Sequence, residues 1–296
     1  MKPLKLIALY YYICEVYDSD LRWICQRFSP NTEPLFTDAE CLTIYLYCVM
    51  NEEKYKIKSI HDYARRYLSS WFPTLPSYQA YNRRLNQLCM TFPALIHFLI
   101  RDADTQGVEM NISLIDSMPI ITCSGKRVGK VAPELTAKGY CSTKKLHYFG
   151  AKLHAIAFRR PGKLPFPEVL SLTEASVHDL SAVRQTLPLL KGREIFADKA
   201  YANNPFNEKM QREAKTVILT PVKLVKGQSQ WERQFNKAAD DLFSTAVSRV
   251  RQPIESFFNW LIEKTDIQRA SKVRSNKGFI THVFGKIAAA LALAIF

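Results

Sequence analysis

The chain has no Cys-x-x-Cys pair, and its seven cysteines (14, 25, 41, 48, 89, 123 and 141) are odd in number. Both facts argue against a zinc site and against a disulfide framework, and they point to reduced thiols in a cytoplasm. There is no Gly-x-x-x-x-Gly-Lys-Ser/Thr loop and no Gly-x-Ser-x-Gly elbow, and neither Cys123 nor Cys141 has a clear histidine partner nearby. A nucleotide cofactor and a side-chain nucleophile are therefore not expected. The apolar stretch Ile287 to Phe296 is ten residues, about half of the ~20 that span a bilayer. It reads as a packing helix, and no membrane partner is expected. The N-terminus starts basic and apolar, but Glu15, Asp18 and Asp20 follow without a small-residue cleavage site, which argues against a signal peptide. No internal repeat or low-complexity tract is visible.

Acidic residues are scarce relative to basic ones, 27 against 41, leaving a net charge of +14 in 296 residues. The imbalance is local. Residues 1–105 carry +1 and residues 106–296 carry +13. Between Lys126 and Lys163 there are ten basic residues and one acid, Glu134. Such a field attracts phosphates and makes binding salt-dependent. No aromatic platform of the kind that stacks RNA bases is evident, so DNA is the expected nucleic acid.

The first hundred residues read as helices. Thr37-Asp38-Ala39-Glu40 forms a capping box ahead of an apolar run, and Ile60, Tyr63, Ala64, Tyr67 and Leu68 recur at helical spacing. Pro73 and Pro76 break the pattern, and Ser77 caps a helix with Tyr78, Tyr81, Leu85 and Leu88 on one face and Arg83, Arg84 and Gln87 away from it. This is the outline of a helix-turn-helix and, equally, of a plain bundle with a solvated basic face. From residue 111 the period changes. Residues 111–121, 146–158 and 168–172 read as strands, 179–190 as a helix, 194–197 as a strand, 205–213 as a helix and 216–219 as a strand. Residues 222–241 have no strong pattern, and a long helical region follows over 242–264. Three consecutive strands suggest an antiparallel meander, and the later alternation suggests parallel additions. The expected organisation is an all-α region over 1–105 and an α/β domain over 106–296.

Three acids stand out in the second part. Asp116 follows the apolar Leu114-Ile115, Asp198 follows Ile195-Phe196-Ala197, and Glu255 lies in a helix-like stretch before Phe257-Phe258. Either aspartate alone reads more simply as a turn or cap residue. Three acids far apart in sequence, on two strand ends and a helix, converge only in a folded site. A site of three carboxylates and little else suits divalent metal ions. Arg251 is one turn before Glu255, and Asn259 one turn after it. Pro253 should kink or restart the helix there. Ser176-Val177-His178-Asp179 reads as a helix cap.

On Leu114-Ile115-Asp116-Ser117, Ser176-Val177-His178-Asp179, Ala197-Asp198-Lys199-Ala200-Tyr201 and Arg251 with Glu255, the chain resembles the DDE transposases of bacterial insertion sequences, most nearly the insertion-sequence-982 family. The resemblance covers most of the chain, chiefly residues 110–285. It implies an RNase H-like catalytic fold, a mixed five-stranded sheet with flanking helices. It implies Asp116, Asp198 and Glu255 as ligands of two Mg²⁺ ions, for which Mn²⁺ can substitute, with Arg251 near the DNA or the triad. It further implies a helical N-terminal region that binds the element's ends and helps form a homodimer, in a bacterial cytoplasm at the nucleoid. Related transposases often carry a Tyr three residues before that Arg and a Lys seven after the Glu. Here these positions are Ser248 and Ile262, and Lys264 lies two residues further on.

The expected activity is cleavage at the element's terminal inverted repeats and joining of the freed 3′-hydroxyls to target DNA. Lys126, Arg127, Lys130, Lys144, Lys145, Lys152, Lys199, Lys264, Arg269, Lys272, Arg274 and Lys277 are candidate DNA contacts, with Arg83 and Arg84 in the helical region. Two other readings fit the same sequence: a metal-dependent nuclease or resolvase that cuts without joining, and an inactive, domesticated DNA-binding protein.

Overall fold

The computed structural model describes residues 2–25, 34–126, 129–141, 145–223, 227 and 229–296, the side chains of 232 and 233 excepted. The chain forms two compact units. One comprises Met1–Asp104, Lys130–Glu134 and Leu261–Phe296, and the other Thr105–Gly129 and Leu135–Trp260.

The first unit is helical. It contains α1 (Pro3–Val16), α2 (Arg22–Ile24), α3 (Asp38–Glu52), α4 (Ile57–Tyr67), α5 (Tyr78–Gln87) and α6 (Thr91–Asp102). The expected capping box starts α3: Thr37 Oγ1 accepts from the Glu40 amide at 3.1 Å, and Glu40 accepts from the Thr37 amide at 2.6 Å. Residues Cys41 to Met50 of α3 are all buried, which suits a helix apolar on every side and surrounded by others. Ser77 caps α5, and Tyr81, Leu85 and Leu88 are buried from it as their spacing predicts.

The second unit holds a curled mixed sheet of six strands: β1 (Glu109–Ser124), β2 (Ala137–Cys141), β3 (Leu146–Arg159), β4 (Phe166–Glu174), β5 (Glu194–Phe196) and β6 (Val217–Leu219). β3 is antiparallel to β1 on one edge. On its other edge it pairs β2 through residues 146–150 and β4 through residues 151–158. β5 adds parallel to β1, and β6 parallel to β5. The antiparallel-then-parallel order matches the sequence pattern. The sixth strand, β2, does not: it lies in the stretch read as a Gly-bearing connection. Gly150 marks where β3 crosses β1 most closely, since a Cβ there would meet the Ile120 carbonyl oxygen at 1.9 Å.

Two short helices, α7 (Asp179–Val183) and α8 (Asn204–Ala214), cover one sheet face. Leu180, Val183, Phe206 and Met210 pack there with Ile115, Ile156, Ile195 and Ile218. The helix expected over 179–190 ends early and resumes as a 3₁₀ turn at Leu187–Leu189, with Pro188 inside it.

α9 (Gln230–Arg251) begins inside the stretch that had no clear pattern, and its early turns are exposed. The chain breaks at Gln252 and restarts as α10 (Pro253–Thr265), with Pro253 in the first turn, where its missing N–H costs nothing.

α11 (Asn276–Ile295) corrects two expectations. At 20 residues it is long and apolar enough, by length and composition, to cross a bilayer. It packs in the helical unit against α3 and α6, so residues 261–296 group with the N-terminal helices and not with the sheet. Apolar helix faces need apolar partners, and the N-terminal helices supply them. Gly285 lets α11 approach Tyr45 of α3, whose ring would lie 2.8 Å from an added Cβ.

Candidate active site

Side chains alternate along β1. Ile115 joins the core beneath α7 and α8. Asp116, the next residue, points to the opposite face, where α9 brings Arg251. Asp116 is not at a strand end, as its sequence suggested. It sits mid-strand opposite Ala155 of β3, and the strand continues to Ser124. The apolar run is interrupted at Asp116 while the strand continues, with Met118 and Ile120 buried beyond it.

Asp198 does follow a strand. It accepts from the Lys199 amide at 2.6 Å and so caps the 3₁₀ turn Lys199–Tyr201 after β5. Glu255 lies in the first turn of α10. Ile254, Phe257, Phe258 and Leu261 are buried, whereas Glu255 occupies the exposed face.

Arg251 joins two of the acids. One guanidinium nitrogen donates to Asp116, and the other donates to Glu255 at 2.5 Å. The i,i+4 pair with Glu255 survives the helix break at Gln252. Burial pushes the Asp116 carboxyl up to about 6. The Arg251 charge and the Ser117 amide pull it down, and Asp198 and Glu255 push it up. Burial works against the Arg251 charge, but Asp116, Glu255 and Asp198 outweigh it and raise its pKa. Asp198 and Glu255 therefore both act on the Asp116 carboxyl, while only Asp116 and Glu255 share a hydrogen-bond partner.

Among the described residues no three His, Cys, Asp or Glu side chains stand close enough to hold one metal ion. Asp116 and Glu255 offer carboxylate oxygens, the donor type a divalent cation takes, and in this structure both are engaged by the Arg251 guanidinium.

A residue outside the expected set lies beside the acids. Tyr201 is 1% exposed, and its hydroxyl has no hydrogen-bond partner among the described residues. Burial first, and then Asp179, Asp116 and Asp198, raise its pKa. Its sequence signal was only its place three residues after Asp198. Asp179 is not simply a cap. It accepts from Ser117 Oγ and from Lys152 Nζ, each at 3.0 Å.

That pairing removes Lys152 from the DNA contacts, since its ammonium also donates to the Val177 carbonyl at 2.9 Å and is largely covered. Arg84 is removed as well. It forks onto Asp38, which is almost wholly buried, and donates to the Cys25 carbonyl at 2.7 Å. Lys126, Lys145 and Lys199 are exposed in the sheet unit, and Arg83, Lys130, Lys264, Arg269, Lys272, Arg274 and Lys277 in the helical unit. Arg127 and Lys144 lie outside the described residues.

The mixed sheet sets Asp116 on a central strand and Asp198 after a neighbouring parallel strand, and Glu255 lies on a following helix. The family model described as "Transposase DDE domain" matches residues 106–275, more than half the chain, and the chain belongs to that family. It is a transposase, and DNA is its substrate. Such domains generally use divalent metal ions. No curated protein and no solved structure matches the chain.

Proposed function

We propose that this chain binds the terminal inverted repeats of its own bacterial insertion sequence, cleaves at the element ends and joins the 3′-hydroxyls to target DNA. The sheet unit is read as RNase H-like, and the chain as nearest the insertion-sequence-982 family. Asp116, Asp198 and Glu255 are its catalytic carboxylates. One observation carries the reading: the charges of these three acids converge on Asp116, and a single arginine ties two of them together within the matched residues.

In the first step a water oxygen attacks the phosphorus at the element end and the P–O3′ bond breaks. The products are a 3′-hydroxyl and a 5′-phosphate. In the second step that 3′-hydroxyl attacks a target phosphodiester, a new P–O bond forms, and a target 3′-hydroxyl leaves. Two Mg²⁺ ions, or Mn²⁺ in their place, would be held by Asp116, Asp198 and Glu255, and supply activation of the attacking oxygen and charge stabilisation of the leaving one.

β1 holds Asp116 against β3, two residues beyond its pairing with β5. Asp198 is oriented by its own cap to Lys199. Arg251 keeps Asp116 ionised and offers a cation to the phosphate. Lys126, Lys145 and Lys199 contact phosphates from the sheet unit. Lys130, Lys264, Arg269, Lys272, Arg274 and Lys277 do so from the helical unit, with Arg83 on α5. The helical region binds the element ends, and two copies act together.

The test uses wild type and Asp198→Ala on a labelled duplex carrying the element end, with Mg²⁺ and then with EDTA. Metal-dependent cleavage, lost in the variant while binding persists, is the expected result. Cleavage without strand transfer into a plasmid would favour a nuclease. Binding without cleavage by wild type would favour an inactive DNA-binding protein.

A further inference from the structure

The first turns of α9 bury almost nothing. From Gln230 to Ala246, among the residues whose side chains are described, only Asp240 and Ser244 are even partly covered, and Val247 is the first buried residue. Polar residues alone would make this a solvated arm. Instead it carries Trp231 at 69% exposure, Phe235 at 73%, Leu242 at 73% and Phe243 at 43%. Trp231 and Phe235 stack on each other, with ring centroids 5.2 Å apart.

Their spacing is that of a helix seam. Trp231, Phe235, Ala238, Leu242 and Thr245 follow one another at intervals of four, three, four and three, the a/d repeat of a two-helix pair. Ala239, Phe243 and Ala246 widen the stripe on one side. An isolated helix of this length is marginal in water, and most helical stability in proteins comes from packing an apolar face. Taking about 200 Å² for a fully exposed large side chain, the four exposed residues present roughly 500 Å² of apolar surface. Two such faces bury about 1,000 Å², the lower limit of a specific interface. A patch of this size on one copy is larger than scattered surface residues explain.

We propose that this segment of α9 packs antiparallel against the same segment of a second copy of the chain. Charge selects the orientation. Lys237 and Asp241 lie one turn apart on the same flank of the stripe, both exposed. A parallel mate sets this flank against the Ala239, Phe243 and Ala246 flank of the other copy and leaves both charges without a partner across the seam. An antiparallel mate crossing at Ala238 and Ala239 sets each Lys237 against the other copy's Asp241, and small residues fill the crossing between the larger ones. The seam is isologous, so it closes as a two-fold pair and does not grow into a filament.

The same helix ends at Arg251, twenty residues or about 30 Å further on. Fixing its free end steadies the element that carries the arginine of the candidate site. The inference rests on the two-copy reading above only for its occupant.

The test is sedimentation velocity of the full chain without DNA or metal. Wild type is expected to be a dimer at micromolar concentration. Phe235→Glu with Leu242→Glu, both at largely exposed positions, should raise the dimer dissociation constant by at least ~100-fold and give a melting temperature equal to that of wild type diluted until it is monomeric. Lys237→Glu should weaken the dimer about tenfold, and adding Asp241→Lys should restore it. A monomeric wild type overturns the proposal. So does a dimer that survives the double substitution, which would leave the two-copy reading standing on another surface. Unchanged oligomeric state with weaker duplex binding would make the arm a DNA contact instead.

Discussion

Asp116 is the residue on which stability and activity pull in opposite directions. Its carboxyl is pushed up to about 6, first by burial, against an unfolded value near 3.8. Between these values the native state holds a proton that the unfolded state has released. The group's contribution to stability therefore falls as pH rises from about 4 to about 6, and it stays unfavourable above that. Asp116→Asn should raise stability at pH 7.5 by about 2–3 kcal/mol and change it little at pH 4, while abolishing cleavage. Urea melts at the two pH values check it. An equal gain at both would disprove the burial account. Arg251 works the other way on the same carboxyl. In Arg251→Gln the acid limb of the cleavage pH profile should move to higher pH, because burial and acid repulsion are then opposed only by the Ser117 amide. Sequence spacing made the three acids legible, since each follows or precedes an apolar run. It hid Tyr201, whose orphan hydroxyl is visible only once burial is known, and it hid the ion pairs that occupy Arg84 and Lys152. Pairing depends on what an element packs against, and a one-dimensional charge count treats every lysine and arginine as free.

Elements differ in how clearly their sequences announce them. α4 carries a buried stripe, and α3, buried on every side, is announced by its capping box and apolar run. In the first half of α9 the heptad positions include Ala238 and Thr245 and lie among charged residues, so the stretch reads as unpatterned. β2 is short, pairs along only part of β3 and is rich in basic residues nearby, so it read as a loop. Burial separates two neighbouring arginines of α5. Arg84→Ala should cost about 3–5 kcal/mol, because it strands the buried Asp38 carboxylate and unties α3 from α5. Arg83→Ala should leave the denaturation midpoint within about 0.5 kcal/mol and weaken duplex binding. Chemical denaturation beside a filter-binding titration decides it, and equal loss of stability in both variants would put Arg83 in the fold and not at the DNA. Lys272, Arg274 and Lys277, all exposed before or at the start of α11, should each lower the slope of log affinity against log salt by about 1 when replaced by Ala, with little effect on sequence preference.

Acidification discriminates between the two units of the whole molecule. His282 of α11 is pushed down to about 3 by burial, with Lys286 adding to it and the Ile267 carbonyl opposing. His154 of β3 is pushed down to about 4, again first by burial. Both imidazoles are neutral in native and unfolded chains above about 6.5. Below that the unfolded chain takes up protons that the native one refuses, so the stability they contribute is lost as pH falls toward the folded values. From pH 7 to pH 5 each histidine costs about 2 kcal/mol. In the sheet unit Asp116 offsets most of this, since protonating its buried carboxyl returns about 1–2 kcal/mol over the same range. In the helical unit Lys286, the neighbour of His282, is pushed down to about 8 by burial and has already taken up its proton by pH 7, so it does not oppose His282. Hydrogen exchange at the two pH values, corrected for intrinsic rates, should therefore show α3, α6 and α11 losing protection at pH 5 while β1 and β3 keep theirs. His282→Gln should remove the difference. Loss of protection in β1 and β3 to the same extent would mean that the two units unfold as one, and that the histidine penalties are shared across the chain.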